Sequence, residues 1–171
     1  PNTESPKYFS LKEFYIVSPL GFVAALATGL SHSAVFGYGA IYASTINLSL
    51  FQISLYMTII TASGALSQWP IGYLSDRIDR RVILIGVSFI AAFLCLVFTL
   101  ANFMPLTIFF IVTGLFAFVC LPMYSLAVAH TNDFLQPNEI VSASATFGIL
   151  IGIGSIIGRL IVSVFMDVSY T

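Results

Sequence analysis

Few side chains in this sequence can move a proton or hold a polar ligand away from water, and those few lie within long apolar runs. His32 stands near the middle of one run. An imidazole there titrates near neutral pH and can relay a proton or touch a substrate; the alternative is a neutral histidine bonded to a neighbouring carbonyl. Arg159 is the single charged residue inside an apolar segment, where a cation is costly. It either contacts an anion or substrate, or reaches back to the interface near Asp167. Gln68 in lipid leaves amide groups unpaired, so it faces protein, as an interhelical hydrogen bond, or a wet cavity. Tyr38 and Tyr124 each combine a stacking ring with a polar tip, which suits a cavity wall. His130, beside Asn132 and Asp133, reads as an interfacial or loop-contact residue. Cys95 and Cys120 lie inside apolar runs and read as small core residues, with no disulfide framework and no zinc spacing. No nucleophile–base pair or metal constellation converges, so neither an enzyme nor a cofactor or metal site is expected.

These residues must be positioned by elements that suit their surroundings. The chain has 171 residues, 58% hydrophobic and 8% charged, with mean hydropathy +1.01. A water-facing surface cannot be built from so few charges, which excludes a soluble globule. A net charge of −1 without a basic run excludes phosphate neutralisation, and with it nucleic-acid binding. A crossing of a hydrocarbon core about 30 Å thick takes roughly 20 apolar residues. Five stretches qualify: 16–44, 51–74, 82–101, 104–129 and 140–166. The runs lack the short alternation of barrel strands, so the expected fold is an all-α, polytopic membrane helix bundle. Arg77, Arg80 and Arg81 lie between the second and third segments, and the first and third connections carry no Lys or Arg. The positive-inside tendency makes the arginine loop cytoplasmic, and alternation brings the N-terminus, with Lys7 and Lys12, to the same side. Residues 1–14 read as a cytoplasmic linker or as an amphipathic helix on the membrane surface. Residues 15–171 then form the transmembrane bundle. Pro1 in first place and an odd number of crossings lead to the expectation of a fragment, with a sixth helix to follow.

The loop reads Gly72-Tyr73-Leu74-Ser75-Asp76-Arg77-Ile78-Asp79-Arg80-Arg81. This resembles the cytoplasmic loop signature of the major facilitator superfamily, G-x-L-[SA]-D-[RK]-x-G-R-[RK]. Physically, Gly72 permits close helix approach. Asp76 suits a helix N-terminus, and the arginines suit carboxylates of nearby loops. Arg80 or Arg81 is expected to pair with Asp133 or Glu139. Asp79 departs from the signature's glycine, and an aspartate tolerates a left-handed turn better than most residues. Gln68-Trp69-Pro70 and the run from Leu121-Pro122-Met123-Tyr124 to Asn132-Asp133 resemble the YcaD-like branch of bacterial transporters. The resemblance implies a secondary transporter of the plasma (inner) membrane, working by alternating access on a small molecule. It implies further that the segments are helices seven to eleven of twelve, that a missing N-terminal half supplies the rest of the cavity, and that the third segment faces lipid. No Asp or Glu lies in any segment, so proton coupling falls to His32 or to the missing half. A receptor or scaffold on the same fold is the alternative.

Projection at 100° per residue places Ser31, Tyr38, Tyr42 and Thr45 on one side of the first segment, and His32 with Thr28, Phe36 and Gly39. In the second segment Met57, Thr61, Gly64, Gln68 and Gly72 share a stripe. Thr113, Cys120 and Tyr124 share one in the fourth, where Pro122 can kink the helix. In the fifth, the pairs Gly148/Gly152 and Gly154/Gly158 are both expected to pack closely. Ser144, Gly148, Gly152, Ser155 and Arg159 mark a small-residue face for a helix or a cavity.

Overall fold

The computed structural model describes residues 10–170, with the backbone alone for Asn102 and residues 165–170. Lys7, most of the 1–14 stretch and the Asp167 side chain lie outside the described residues.

Helices begin where short polar side chains can satisfy the free N–H groups of a first turn. Helix α1 (Leu11–Val17) opens on a reciprocal cap: Glu13 N–H donates to Ser10 Oγ at 3.2 Å, and Ser10 N–H donates to Glu13 Oε2 at 2.8 Å. Residues 11–14 are therefore helical, and Phe14 is only 1% exposed. Ser18 accepts from Gly21 N–H at 3.2 Å, and Pro19 opens α2 (Pro19–His32). A π-helical turn, Ser33–Tyr38, separates α2 from α3 (Gly39–Thr45). Asn47 then takes φ 61°, a left-handed turn that asparagine accepts at low cost. Ser49 and Gln52 form a second reciprocal cap on α4 (Leu50–Ser75).

Asp79 caps α5 (Arg80–Phe98), its Oδ1 accepting from Arg81 N–H at 2.9 Å. Its φ is −50°, so the turn needs no left-handed residue, and aspartate in place of the signature's glycine gains a cap. A 3-10 turn, Ala101–Phe103, leads to α6 (Leu106–Cys120). The chain breaks at Leu121 and Pro122 before α7 (Met123–Asn132), and α8 (Ile140–Tyr170) follows. Removing the Ser49 cap with Ser49→Ala should cost about 1 kcal/mol. The check is a lower unfolding midpoint in detergent; an unchanged midpoint assigns that helix start to packing alone.

Five helical spans are long and apolar enough to cross a bilayer: Pro19–Thr45, Leu50–Ser75, Arg80–Phe98, Leu106–Asn132 and Ile140–Val164. No strand occurs among the described residues, and the all-α membrane bundle is the observed fold. In lipid each helix satisfies its own backbone, so spans of this length need no further partner for their N–H and C=O groups.

The chain divides into two compact units, the described residues up to Ser33 together with Tyr124 onwards, and Ala34–Met123. In the first, α2 lies along α8. Leu26 meets Gly154, Gly29 meets Ile151 and Ser155, and Leu30 and Ser33 meet Gly158, so both helices point the same way. Phe14 and Phe147 pack edge to face at 6.2 Å between ring centroids. Ser155 Oγ donates to the Gly29 carbonyl at 3.2 Å, a hydrogen bond between helices whose backbones nearly touch. Parallel first and fifth spans are what three intervening crossings require.

In the second unit, α4 lies along α6. Tyr56 stacks on Phe109 at 5.6 Å, Ile59 and Ser63 meet Gly114, and Gly64 meets Leu121. These helices are again parallel, as one intervening span demands. Ala43, Tyr56, Ile60, Phe109 and Ala117 form the core there. Helix α5 buries Ile83, Leu84, Val87, Ala91 and Leu94 and exposes Phe89, Phe93 and Leu96, so it is apolar on both sides.

Candidate functional site

The polar residues of α4 define the clearest candidate surface. The helix has three faces. One carries Tyr56, Ile60, Gly64, Ser67, Ile71 and Ser75, all buried. A second carries Ser54, Thr58, Thr61, Ala65 and Gln68, all exposed, with Gly72 half-buried at its end. The third carries Leu66, Trp69 and Tyr73, also exposed. Ser54, Thr58 and Thr61 donate to the carbonyls of Leu50, Ser54 and Met57, at 3.0, 2.8 and 2.9 Å. Their protons are thus committed to the helix, and their lone pairs point outward as acceptors. Such a strip receives N–H or O–H donors; Gln68, with both donor and acceptor atoms, adds one mixed position.

This arrangement alters the expected stripe. Gly64 is not on the polar face: a side chain there would run into Leu121, so this glycine serves packing on α6. Met57 is half-buried, beside Gly39. Thr61 and Gln68 remain on the polar face, joined by Ser54 and Thr58, which sequence reasoning missed. The signal was present: Ser54, Thr61 and Gln68 recur at intervals of seven, as do Thr58, Ala65 and Gly72.

The remaining candidates divide between the two units. Tyr38 and Gln68 belong to the second, and His32, Tyr124 and Arg159 to the first. Tyr38 is half-buried at the end of the π-helical turn. That turn carries an extra residue, so projecting an unbroken α-helix from Ser31 or His32 through to Tyr42 fails. Gly39, projected beside His32, instead packs on Tyr56 within the second unit. His32 closes α2 and is half-buried. One turn earlier Thr28 is buried, and its Oγ1 finds no hydrogen-bond partner among the described residues. Tyr124 is 46% exposed in the first turn of α7, its ring edge-on to Phe147 at 5.9 Å. Thr113 and Cys120 belong to the other unit, buried in α6, and the helix breaks at Leu121 and Pro122. Arg159 is exposed on α8, on the face that also carries exposed Ser144, Gly148 and Gly152.

The two glycine pairs of α8 part company. Gly154 and Gly158 pack against α2, whereas a side chain at Gly148 or Gly152 meets nothing within 4 Å. Only one of the expected close-packing pairs is used in this unit; the other lies on the open face with Arg159.

In the arginine turn, Gly72 likewise has no atom near its missing side chain, so it is not a site of close helix approach among the described residues. Asp76 follows α4 directly and accepts from Arg80 Nη2 at 3.1 Å. Arg77 lays its guanidinium over the Tyr73 ring, 4.2 Å from the centroid. Arg81, the second residue of α5, donates its N–H to Asp79. Among the described residues no group of His, Cys, Asp and Glu is placed to hold a metal ion.

Five apolar spans, a polar strip on one of them and an arginine turn at its end define a multi-pass α-helical membrane protein. A family model for the Major Facilitator Superfamily matches residues 16–170, and the chain belongs to that family. Among the relatives is YfkF of Bacillus subtilis, an uncharacterised MFS-type transporter, 26% identical over 155 residues that cover 87% of this chain and 38% of that protein. YcaD of Escherichia fergusonii, also an uncharacterised MFS-type transporter, is 22% identical over 167 residues, covering 96% of this chain and 42% of its own length. A relative from Yersinia enterocolitica with the same description is 24% identical over 148 residues, 86% of this chain and 37% of that protein. The chain thus spans about two fifths of the length of the curated relatives it matches. No solved structure matches it.

Proposed function

We propose that this chain is the C-terminal half-bundle of a secondary active transporter that moves a small molecule across the plasma membrane by alternating access. The observation that carries the reading is the open strip of hydroxyl acceptors on α4, ending in Gln68, in a chain of transporter-named relatives. A hydroxyl strip facing lipid would waste its acceptors, whereas one facing a wet cavity can exchange water for substrate donors. The substrate is therefore a small molecule rich in N–H or O–H groups. Tyr38, on the same unit, and His32, Tyr124 and Arg159, on the other, are the further contact candidates. Substrate, and a coupling proton carried by His32, would shift the balance between inward- and outward-open states by binding one more tightly. On this reading the arginine turn faces the cytoplasm with the N-terminus of the chain, and the other half-bundle completes the cavity.

The test is uptake by the full-length protein in sealed proteoliposomes, screened over small polar substrates with and without an imposed pH gradient. Accumulation that collapses when the gradient is removed supports proton coupling. Accumulation indifferent to the gradient removes His32 from that role while leaving transport intact. Ligand binding without flux would identify a receptor or scaffold and overturn the proposal.

A further inference from the structure

The third face of α4 is built differently from the other two. Trp69, Tyr73 and Arg77 follow one another at intervals of four, so their side chains stack along one line of the helix surface. Trp69, the only tryptophan of the chain, is 80% exposed and stacks on Tyr73 at 6.3 Å with the rings 28° apart. Arg77 continues the stack over Tyr73. Eight residues of helical rise carry this ladder about 12 Å along the axis. That is enough to run from the edge of the hydrocarbon through the headgroup layer.

Charge decides what the ladder can hold. Two carboxylates share the turn, and both are engaged: Asp76 by Arg80, and Asp79 by the Arg81 backbone N–H. Among the described residues no carboxylate pairs with Arg77. With its flat face on Tyr73, the guanidinium keeps its edge of N–H donors free to grip an oxyanion in a two-pronged fashion. Tryptophan and tyrosine are the residues that settle at the membrane–water boundary.

The shape of the face argues against a packed helix as its occupant. Close helix pairs in membranes use small residues. On α4 those lie mainly on the buried face, at Gly64, Ser67 and Ser75, and on the hydroxyl strip, the nearer of the two roughly 90° away around the axis. Leu66, 72% exposed, continues the bulky face along the helix, away from the arginine turn.

We propose that Trp69, Tyr73 and Arg77 form a binding site for an anionic phospholipid. Arg77 holds the phosphodiester, and Tyr73, Trp69 and Leu66 line the path of the glycerol and upper acyl chain. The site is independent of what the protein transports.

The experiment is native mass spectrometry of the full-length protein in detergent, titrated with phosphatidylglycerol, phosphatidylcholine or inorganic phosphate. Phosphatidylglycerol adducts should weaken five- to tenfold in Arg77→Gln and in Tyr73→Leu, and less in Arg77→Lys. Phosphatidylcholine and inorganic phosphate should bind weakly and show no dependence on these variants. A photoreactive residue in place of Trp69 should label lipid in membranes. Phosphatidylglycerol binding unchanged in both Arg77→Gln and Tyr73→Leu would overturn the proposal. So would equal retention of inorganic phosphate, or labelling of another segment of the protein from position 69, which would make this face a protein interface.

Discussion

Replacing Gly154 with leucine is expected to abolish recovery of folded protein, whereas Gly152→Leu, two residues away, leaves folded yield unchanged. At Gly154 a Cβ would collide with the Leu26 carbonyl oxygen, and it would lie 3.1 Å from the carbonyl carbon and 3.2 Å from the Gly29 Cα. Every one of these atoms is backbone in α2, so no side chain can turn aside to make room. Gly29 mirrors this from the other helix, its missing side chain facing the Ile151 carbonyl and, at 2.9 Å, the Ser155 nitrogen. Overpacking a well-packed core costs about 1–3 kcal/mol when side chains can adjust. A clash with backbone on both sides costs more, against a total stability of roughly 5–15 kcal/mol. The interhelical bond from Ser155 to Gly29 would be lost in the same step. The measurement is the monodisperse fraction on size exclusion, with the unfolding midpoint of Gly154→Ala as the milder companion. Tolerance of Gly154→Leu would show that α2 and α8 are not held by this contact.

Transport is expected to fall by at least an order of magnitude when the hydroxyl strip of α4 is made apolar with Ser54→Ala, Thr58→Val and Thr61→Val together. Folded yield should hold. These hydroxyls are exposed and donate only to their own helix, so the replacements leave no buried partner stranded. What disappears is a set of outward acceptors. One lost hydrogen bond costs about 1 kcal/mol, and three approach 3 kcal/mol. At 1.4 kcal/mol per tenfold, that is roughly 100-fold in affinity if all three serve the substrate. Gln68→Leu alone should act in the same direction by about fivefold. Ser88→Ala is the control, because that hydroxyl bonds to the Leu84 carbonyl within α5, away from the strip on α4. Unchanged uptake in the triple variant would remove the strip from the transport path.

The two expectations test different kinds of knowledge. Spans were legible because about 20 apolar residues in a row have one stable solution in a bilayer, the hydrogen-bonded helix. The starts of α2, α4 and α5 rest on equally local chemistry, since Ser18, Ser49 and Asp79 each cap the first turn that follows them, a role that sequence reasoning missed. Asp79 shows the limit even here. Its position suggested a tolerated left-handed turn, but its φ is −50° and the carboxylate is a cap.

Periodicity located polar and small residues on faces without saying which face would be covered. Gly148/Gly152 and Gly154/Gly158 carry the same pattern, and nothing in either pair announces its partner. Only the second meets α2, because Leu26, Gly29 and Ser33 bring their own small or backbone surfaces to it. Angle alone puts Gly64 on one stripe with Met57, Thr61, Gln68 and Gly72, and Leu121 decides otherwise by filling the space beside it. The π-helical turn is the clearest case. Ser33–Tyr38 contains no residue type that dictates an extra residue per turn, yet it shifts every later position of that span.

By itself, then, the sequence determined the number of apolar spans, the arginine turn and the family to which the chain belongs. Those depend on local chemistry and on the length of apolar runs. Which glycines touch a neighbour, where a helix changes pitch and which strip of α4 stays open were decided by tertiary structure. Each of those depends on atoms from a distant part of the chain occupying, or leaving empty, the same few cubic ångströms.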